Sequence, residues 1–292
     1  MGWKKWAGVL FAIVVVVSAY RLAQIGSQLM LPQSEEDIAE VNAAAEAQNE
    51  EAFYRPERKP AIIQKANPLN NVFFGDLHIH TNASVDAYLF GNRFDMDTAY
   101  QVAKGRSVVL RSGERAELTR PLDFAALTDH AEGFGLRLAC LETEKSEEAQ
   151  EVCNKFDRAS LSIFLELRNR GPRRDLTVFN NDSAIEREYS ASTWQLVQAS
   201  AERNYEPGKF TTFAGYEYSP VLPDRGKHHR NIIFRSLDTP KYAISSFDAA
   251  SEIDLWKELE ATCTNECEFL TIPHNLNKTW GLAFSGKTID GA

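Results

Sequence analysis

An α/β fold, built on a parallel sheet or a barrel, is what this sequence predicts. Two observations predict it. From Asn71 onward, short β-like runs alternate with longer amphipathic stretches, the pattern of strand–helix units. The six histidines are also not scattered, since they fall at the ends of those runs, where such folds gather their functional groups. The 292 residues are 43% apolar and 25% charged, an ordinary globular mix. That excludes a disordered polyampholyte, a collagen-like repeat and a multi-span membrane protein. The net charge of −9 argues against a nucleic-acid partner, because phosphate backbones are held by clustered Lys and Arg.

Residues 1–30 stand apart from the fold. Lys4 and Lys5 precede an apolar run over 6–20, broken only by Ser18 and closed by Arg21, and no acid appears before Glu35. A secretory core needs about 7–15 apolar residues and a spanning helix about 20. The segment therefore predicts either a signal peptide, cleaved after Val17-Ser18-Ala19, or an anchor that continues to Ile25 with Arg21 snorkelling to the interface. In both cases the lysines stay inside and the rest of the chain is exported, to the periplasm or the extracellular face. Residues 31–68 read as a helical and extended linker: Ser34 followed by Glu35, Glu36 and Asp37 starts a helix, and Pro56 and Pro60 end regular structure. Residues 69–292 form the remaining domain.

Within it, strands are expected over 72–79, 124–128, 210–218, 231–235 and 269–272, and helices over 134–142, 183–203 and 248–261. The Arg-rich stretch 168–174 reads as an insertion.

The histidines carry the chemistry. His78 and His80 close the first run as His-x-His, and strand alternation puts them on one face, within reach of one ion. His130 closes the second run and His274 the last, while His228 and His229 open the fourth. Neutral imidazole is the commonest metal ligand, so this concentration predicts a polynuclear metal site. Glu217 lies in the apolar and aromatic run 210–218, where a carboxylate must be paired or bind a cation. Asp76 and Asp129 are expected to orient an imidazole or a turn, and His228 to stand exposed beside the ligand His229.

These motifs resemble a family. Asp76-Leu77-His78-Ile79-His80-Thr81, with Ser84 and Asp86 downstream, is similar to the first motif of the PHP (polymerase and histidinol phosphatase) superfamily. Leu127-Thr128-Asp129-His130 resembles its second motif, and Gly215-Tyr216-Glu217 its metal-bridging glutamate. His229-Arg230-Asn231 and Ile272-Pro273-His274-Asn275 resemble the next two. More narrowly, the set resembles an exported bacterial PHP-like branch known as a domain of unknown function. The resemblance implies a distorted βα barrel and a metal-dependent hydrolase, a phosphoesterase with two or three ions of zinc, manganese or iron. It implies one ion on His78, His80 and Glu217, a second on Glu217, His229 and His274, and a third on Asp86 and His130. Two departures stand out. Val85 intervenes between Ser84 and Asp86, and no histidine follows His274 to supply the family's final Asp-x-His, so the barrel is expected to be truncated at its C-terminus.

No Gly-x-Ser-x-Gly is present, so the attacking group implied is a metal-bound hydroxide. Arg230 and Lys278 follow ligand positions and are the expected cations on the substrate side, with Tyr218 and Trp280 as candidates for the mouth. The partners are then a small-molecule or phosphoester substrate and, through an uncleaved N-terminal segment, a membrane. Cys140, Cys153, Cys263 and Cys267 suit disulfides in an exported chain. The local pairs are Cys140 with Cys153 and Cys263 with Cys267, out of three connectivities. Two other functions compete: an amidohydrolase-like metal hydrolase, which also begins with His-x-His but uses a bridging lysine, and a non-catalytic, membrane-tethered protein that the metal only stabilises.

Overall fold

The computed structural model describes residues 72–110, 113–157, 176–220, 226–279 and 281–284. The expectations for 1–30, 31–68, 168–174 and Trp280 lie outside these residues. In chain order the strands are β1 (Gly75–Ile79), β2 (Val108–Val109), β3 (Arg115–Ala116), β4 (Phe124–Leu127), β5 (Thr211–Phe213), β6 (Gly215–Tyr218), β7 (Arg230–Phe234) and β8 (Phe269–Pro273). The helices are α1 (Val85–Leu89), α2 (Met96–Ala103), α3 (Leu136–Leu141), α4 (Glu147–Asp157), α5 (Ser183–Asn204) and α6 (Glu252–Thr262). The chain is thus of the mixed α/β class.

Three sheets are present among the described residues: a parallel one in the order β1-β4-β5, an antiparallel one in the order β6-β7-β8, and the small hairpin β2-β3. The run expected over 210–218 is split at Ala214. Its first half pairs with β4 and its second half with β7. The end of β4 still touches β6 through a parallel bridge between His130 and Glu217, with Glu217 N–H donating to the Asp129 carbonyl at 2.9 Å. Gly215 marks the crossing. A Cβ there would lie 3.0 Å from the Ile232 carbonyl oxygen and 3.3 Å from that of Leu127, forcing the strands on both sides apart.

The all-parallel expectation is corrected for the second half of the domain. Between β6 and β7 the chain has only residues 219–229, and a parallel crossover takes a dozen or more with its helix; an antiparallel return fits. No closed barrel is found among the described residues. The arrangement nevertheless fixes where function sits. Because β7 runs against β6 and β8, the C-terminal ends of β6 and β8 and the N-terminal end of β7 lie together, and the His130–Glu217 bridge brings them to the C-terminal ends of β1 and β4. That is why four histidine positions close or follow β runs while His229 precedes one.

The core packs α5 and α6 against β6 and β7. Trp194, Tyr216, Phe234, Leu255 and Leu259 are completely buried there, each large apolar side chain contributing about 1.5–3 kcal/mol. Trp194 also donates its indole N–H to the Pro240 carbonyl at 2.9 Å. Tyr218 belongs to this core, not to a mouth: it is buried and donates to the Ala249 carbonyl at 2.7 Å. The expected helix 248–261 starts only at Glu252, where Ser251 caps it by accepting from Asp254 N–H, because Asp248 is engaged by Ser245 and Arg187.

Both local disulfides are formed, Cys140–Cys153 and Cys263–Cys267. They suit an oxidising compartment and hence an exported chain. Among the described residues no helix is long and apolar enough to cross a membrane.

Candidate metal centre

All seven expected ligands meet where the two larger sheets come together, and Glu217 is their hub. Its side chain is 1% exposed. Oε2 lies 2.8 Å from His80 Nε2 and 3.9 Å from His78 Nε2. Oε1 lies 2.6 Å from His229 Nδ1 and 3.1 Å from His274 Nε2, with His130 Nδ1 at 3.7 Å. Asp86 closes the other side, Oδ1 at 3.1 Å from His80 Nδ1 and Oδ2 at 3.3 Å from His130 Nε2. Three groups have ligand atoms within 4.8 Å of one another: His78, Glu217 and His274; His80, Asp86 and His130; His130, Glu217 and His229. The most exposed side chains of the cluster are those of His78 and Asp86, at 44% and 39%.

Local structure explains each placement. His78 lies on β1 and His80 just beyond it, two residues apart and so on one face. Thr81 then bonds Asp129 twice, through N–H at 2.5 Å and Oγ1 at 2.7 Å, which locks the turn after His80 to the residue before His130. Asp76 accepts from His78 N–H at 2.9 Å. The inserted Val85 does not remove Asp86 from the site: Asp86 sits in the first turn of α1, where Ser84 Oγ donates to its Oδ1 at 2.7 Å.

Two expected substrate cations fare differently. Arg230 is only 4% exposed and lies on the far face of β7 from His229 and Asn231. Its guanidinium contacts His228 Nε2 at 3.3 Å and the Trp256 ring at 5.2 Å, so it is not presented to the centre. His228 is corrected too: it is 2% exposed, with Nδ1 at 3.3 Å from Glu252. Lys278 is exposed, and its carbonyl accepts from Lys227 N–H at 2.9 Å, which brings a second exposed lysine beside it.

Residues 67–292 match the model of a family described as a protein of unknown function (DUF3604). The chain belongs to that family. No curated protein and no solved structure matches it. Every residue of the cluster in this DUF3604 chain lies inside the matched span.

The electrostatics of the DUF3604 cluster are those of a cation site. Burial disfavours charge on Glu217 and Asp86, but the facing imidazoles outweigh it and hold both carboxyls well below the usual range. Burial likewise opposes protonation of His80, yet Asp86 and Glu217 push it up to about 10, and His130 is raised by the same carboxylates. Burial lowers His78 and His229, and lifts Asp129 to about 6 despite its Thr81 bonds. Five imidazoles crowd two carboxylates here, with ring centroids as close as 4.2 Å between His78 and His274. Buried imidazole nitrogens without a hydrogen-bond partner remain among the described residues, His229 Nε2 and His274 Nδ1. A donor set of this kind fits a transition-metal ion; its charge would replace the protons that otherwise balance the carboxylates.

Three contributors were not legible as ligands or partners. Ser219 Oγ lies between His130 Nδ1 and Glu217 Oε1, and Asn231 joins His78 Nδ1 at 3.1 Å to the Leu77 carbonyl at 2.7 Å. Glu132 accepts from the Ser219 and Ser246 amides at 3.0 and 2.8 Å. Ser219 and Asn231 carry a usable signal: each lies two residues beyond a ligand and so on the ligand's face.

Proposed function

We propose that this DUF3604 domain is a metal-dependent hydrolase of phosphoesters, exported by its N-terminal segment and built on a PHP-type barrel. The observation that carries the reading is one buried carboxylate set among five imidazoles: Oε2 of Glu217 faces His80 and His78, and Oε1 faces His229 and His274, with His130 farther off at 3.7 Å. His78 and His80 with Oε2 would hold one ion of zinc, manganese or iron, and His229 and His274 with Oε1 a second. Asp86 and His130 offer a third position. Motif order supports the PHP reading, and a bridging glutamate in place of a lysine favours it over an amidohydrolase-like enzyme.

When bound, such ions supply a water-derived nucleophile near neutral pH and positive charge for a phosphoryl oxygen. The chain's own residues do the rest. Asp129 and Asp76 hold the backbone that aims His78 and His80, and Asn231 fixes the His78 ring. Lys278 and Lys227, joined through their backbone next to His274 and His229, take up the negative charge of the substrate.

The test is metal analysis of the full chain, followed by turnover of a chromogenic phosphodiester before and after chelation. Bound transition metal with chelator-sensitive turnover is expected. A chain without metal sinks the reading, and metal without turnover favours the metal-stabilised, membrane-tethered binding protein.

A further inference from the structure

Ser219 occupies an unusual place. It is buried, and its Oγ touches two of the proposed ligands at once, His130 through Nδ1 and Glu217 through Oε1 at 3.2 Å. A hydroxyl has one proton to give. With the Ser219 O–H given to Glu217, its oxygen can only accept from His130, so His130 keeps a proton on Nδ1. Nε2 faces Asp86 Oδ2 at 3.3 Å; in the metal-free chain it donates there, and when an ion displaces that proton, Nε2 is the nitrogen left with a lone pair to offer.

This matters because His130 has two possible allegiances. Its Nδ1 is 3.7 Å from Glu217 Oε1, which places it in a group with Glu217 and His229, while its Nε2 places it in another with His80 and Asp86. A neutral imidazole ligates through one nitrogen, and the hydrogen bond on the other decides which.

We infer that Ser219 is a positioning residue that sorts these two groups: it withholds His130 from the Glu217 positions and commits it, through Nε2, to the Asp86 position. Glu132 sets Ser219 in place. One of its oxygens, Oε1, accepts both the Ser219 and the Ser246 amide, tying the end of β6 to the loop that precedes Asp248. Glu132 itself follows His130 by two residues, so the ligand and the clamp on its partner come from the same short turn, Ala131–Gly133. The inference rests on the metal reading above, but concerns which nitrogen of this chain is used.

The experiment uses the full chain loaded with zinc, comparing wild type with Ser219→Ala, Ser219→Thr and Glu132→Ala. Two quantities are read: zinc affinity by competition with a chromogenic chelator, and the imidazole ¹⁵N–¹H correlation spectrum, which shows which nitrogen of His130 is protonated. In the wild type His130 should carry its proton on Nδ1. Ser219→Ala should weaken the weakest zinc position about 10–100-fold, more than it weakens the positions on Glu217, and abolish that Nδ1–H signature. Ser219→Thr, which keeps the hydroxyl, should restore both. Glu132→Ala should move both readouts in the direction of Ser219→Ala. Zinc-loaded wild type with the His130 proton on Nε2, or a Ser219→Ala chain with wild-type spectrum and affinities, overturns the inference while leaving the metal reading intact. A wild type that takes up no zinc overturns the metal reading and this assignment with it.

Discussion

His80 and Glu217 are 137 positions apart and meet at 2.8 Å, Nε2 to Oε2, while the other nitrogen of His80 faces Asp86 at 3.1 Å. One imidazole therefore spans both carboxylates of the cluster. The chain achieves this by ending β1 and β6 at the same place: β4 pairs with β1, and the His130–Glu217 bridge ties its end to β6, so that residues from distant parts of the sequence converge.

Glu217→Gln should cost more than one metal equivalent. The amide keeps the shape of the side chain but has one oxygen instead of two, and the two oxygens face different histidines. Metal content measured after dialysis checks this. Loss of a single equivalent, or of none, would show that the carboxylate does not bridge.

Freed of metal, the chain should lose stability as the pH rises above about 6.5. His80 is raised from 6.5 to about 10, and His130 is raised as well. A group whose folded value is raised gives stability that is complete below its unfolded value and is lost as pH climbs through the folded one. His78 and His229, lowered by burial, act only below 6.5, so the alkaline limb belongs to His80 and His130. The loss should be on the order of a few kcal/mol, read as a falling melting temperature between pH 6.5 and 10. Adding metal should flatten that limb, because the ion replaces the protons. A melting temperature that rises with pH in the chelated chain would contradict the pairing of His80 with Asp86 and Glu217.

The disulfides should contribute unequally. Cys140–Cys153 spans 13 positions and Cys263–Cys267 spans 4, and the cost of closing a loop in the unfolded chain grows with its length. Replacing the first pair by serine should cost about 3 kcal/mol and the second about 2 kcal/mol, measured by urea unfolding. The reverse order would mean that the bridges act on native packing more than on the unfolded chain.

Much of the site was legible because its ligands are single residues of distinctive chemistry at the ends of β runs: His78, His80, His130, Glu217, His229 and His274 needed no knowledge of strand order. The strand order itself was not legible. Whether 210–218 makes one strand or two depends on which neighbours pair with it, and Ala214 carries no mark of the switch. The helices α1, α2 and α4 escaped for a different reason: α1 is only five residues within a polar motif, while α2 and α4 are short, and in α4 the apolar positions Ala149, Val152, Cys153 and Phe156 do recur at helical spacing but lie among Glu, Gln, Asn and Lys. His228 and Arg230 were misplaced by adjacency. Each neighbours the ligand His229, and strand alternation sends neighbours to the opposite face.

That alternation yields the last prediction. Arg230 and Lys278 were equal candidates for contact with substrate, yet β7 turns Arg230 inward. It lies with His228 and Trp256, near the Glu252 charge that partly offsets its burial. Removing it leaves Glu252 beside His228 with less positive charge, and breaking a buried charge arrangement typically costs about 3–5 kcal/mol. Arg230→Ala should therefore unfold at markedly lower urea concentration, while whatever folded fraction remains keeps wild-type metal content and KM. Lys278 is exposed at the rim, where a charge contributes little to stability. Lys278→Ala should keep its unfolding midpoint and metal content and raise KM for an anionic substrate several-fold, and Lys227→Ala should do the same, since the two share one stretch of rim. Paired urea titrations and steady-state kinetics on the three variants separate the roles. An Arg230→Ala chain of normal stability with a raised KM would place the guanidinium at the substrate after all, and would require β7 to be turned the other way.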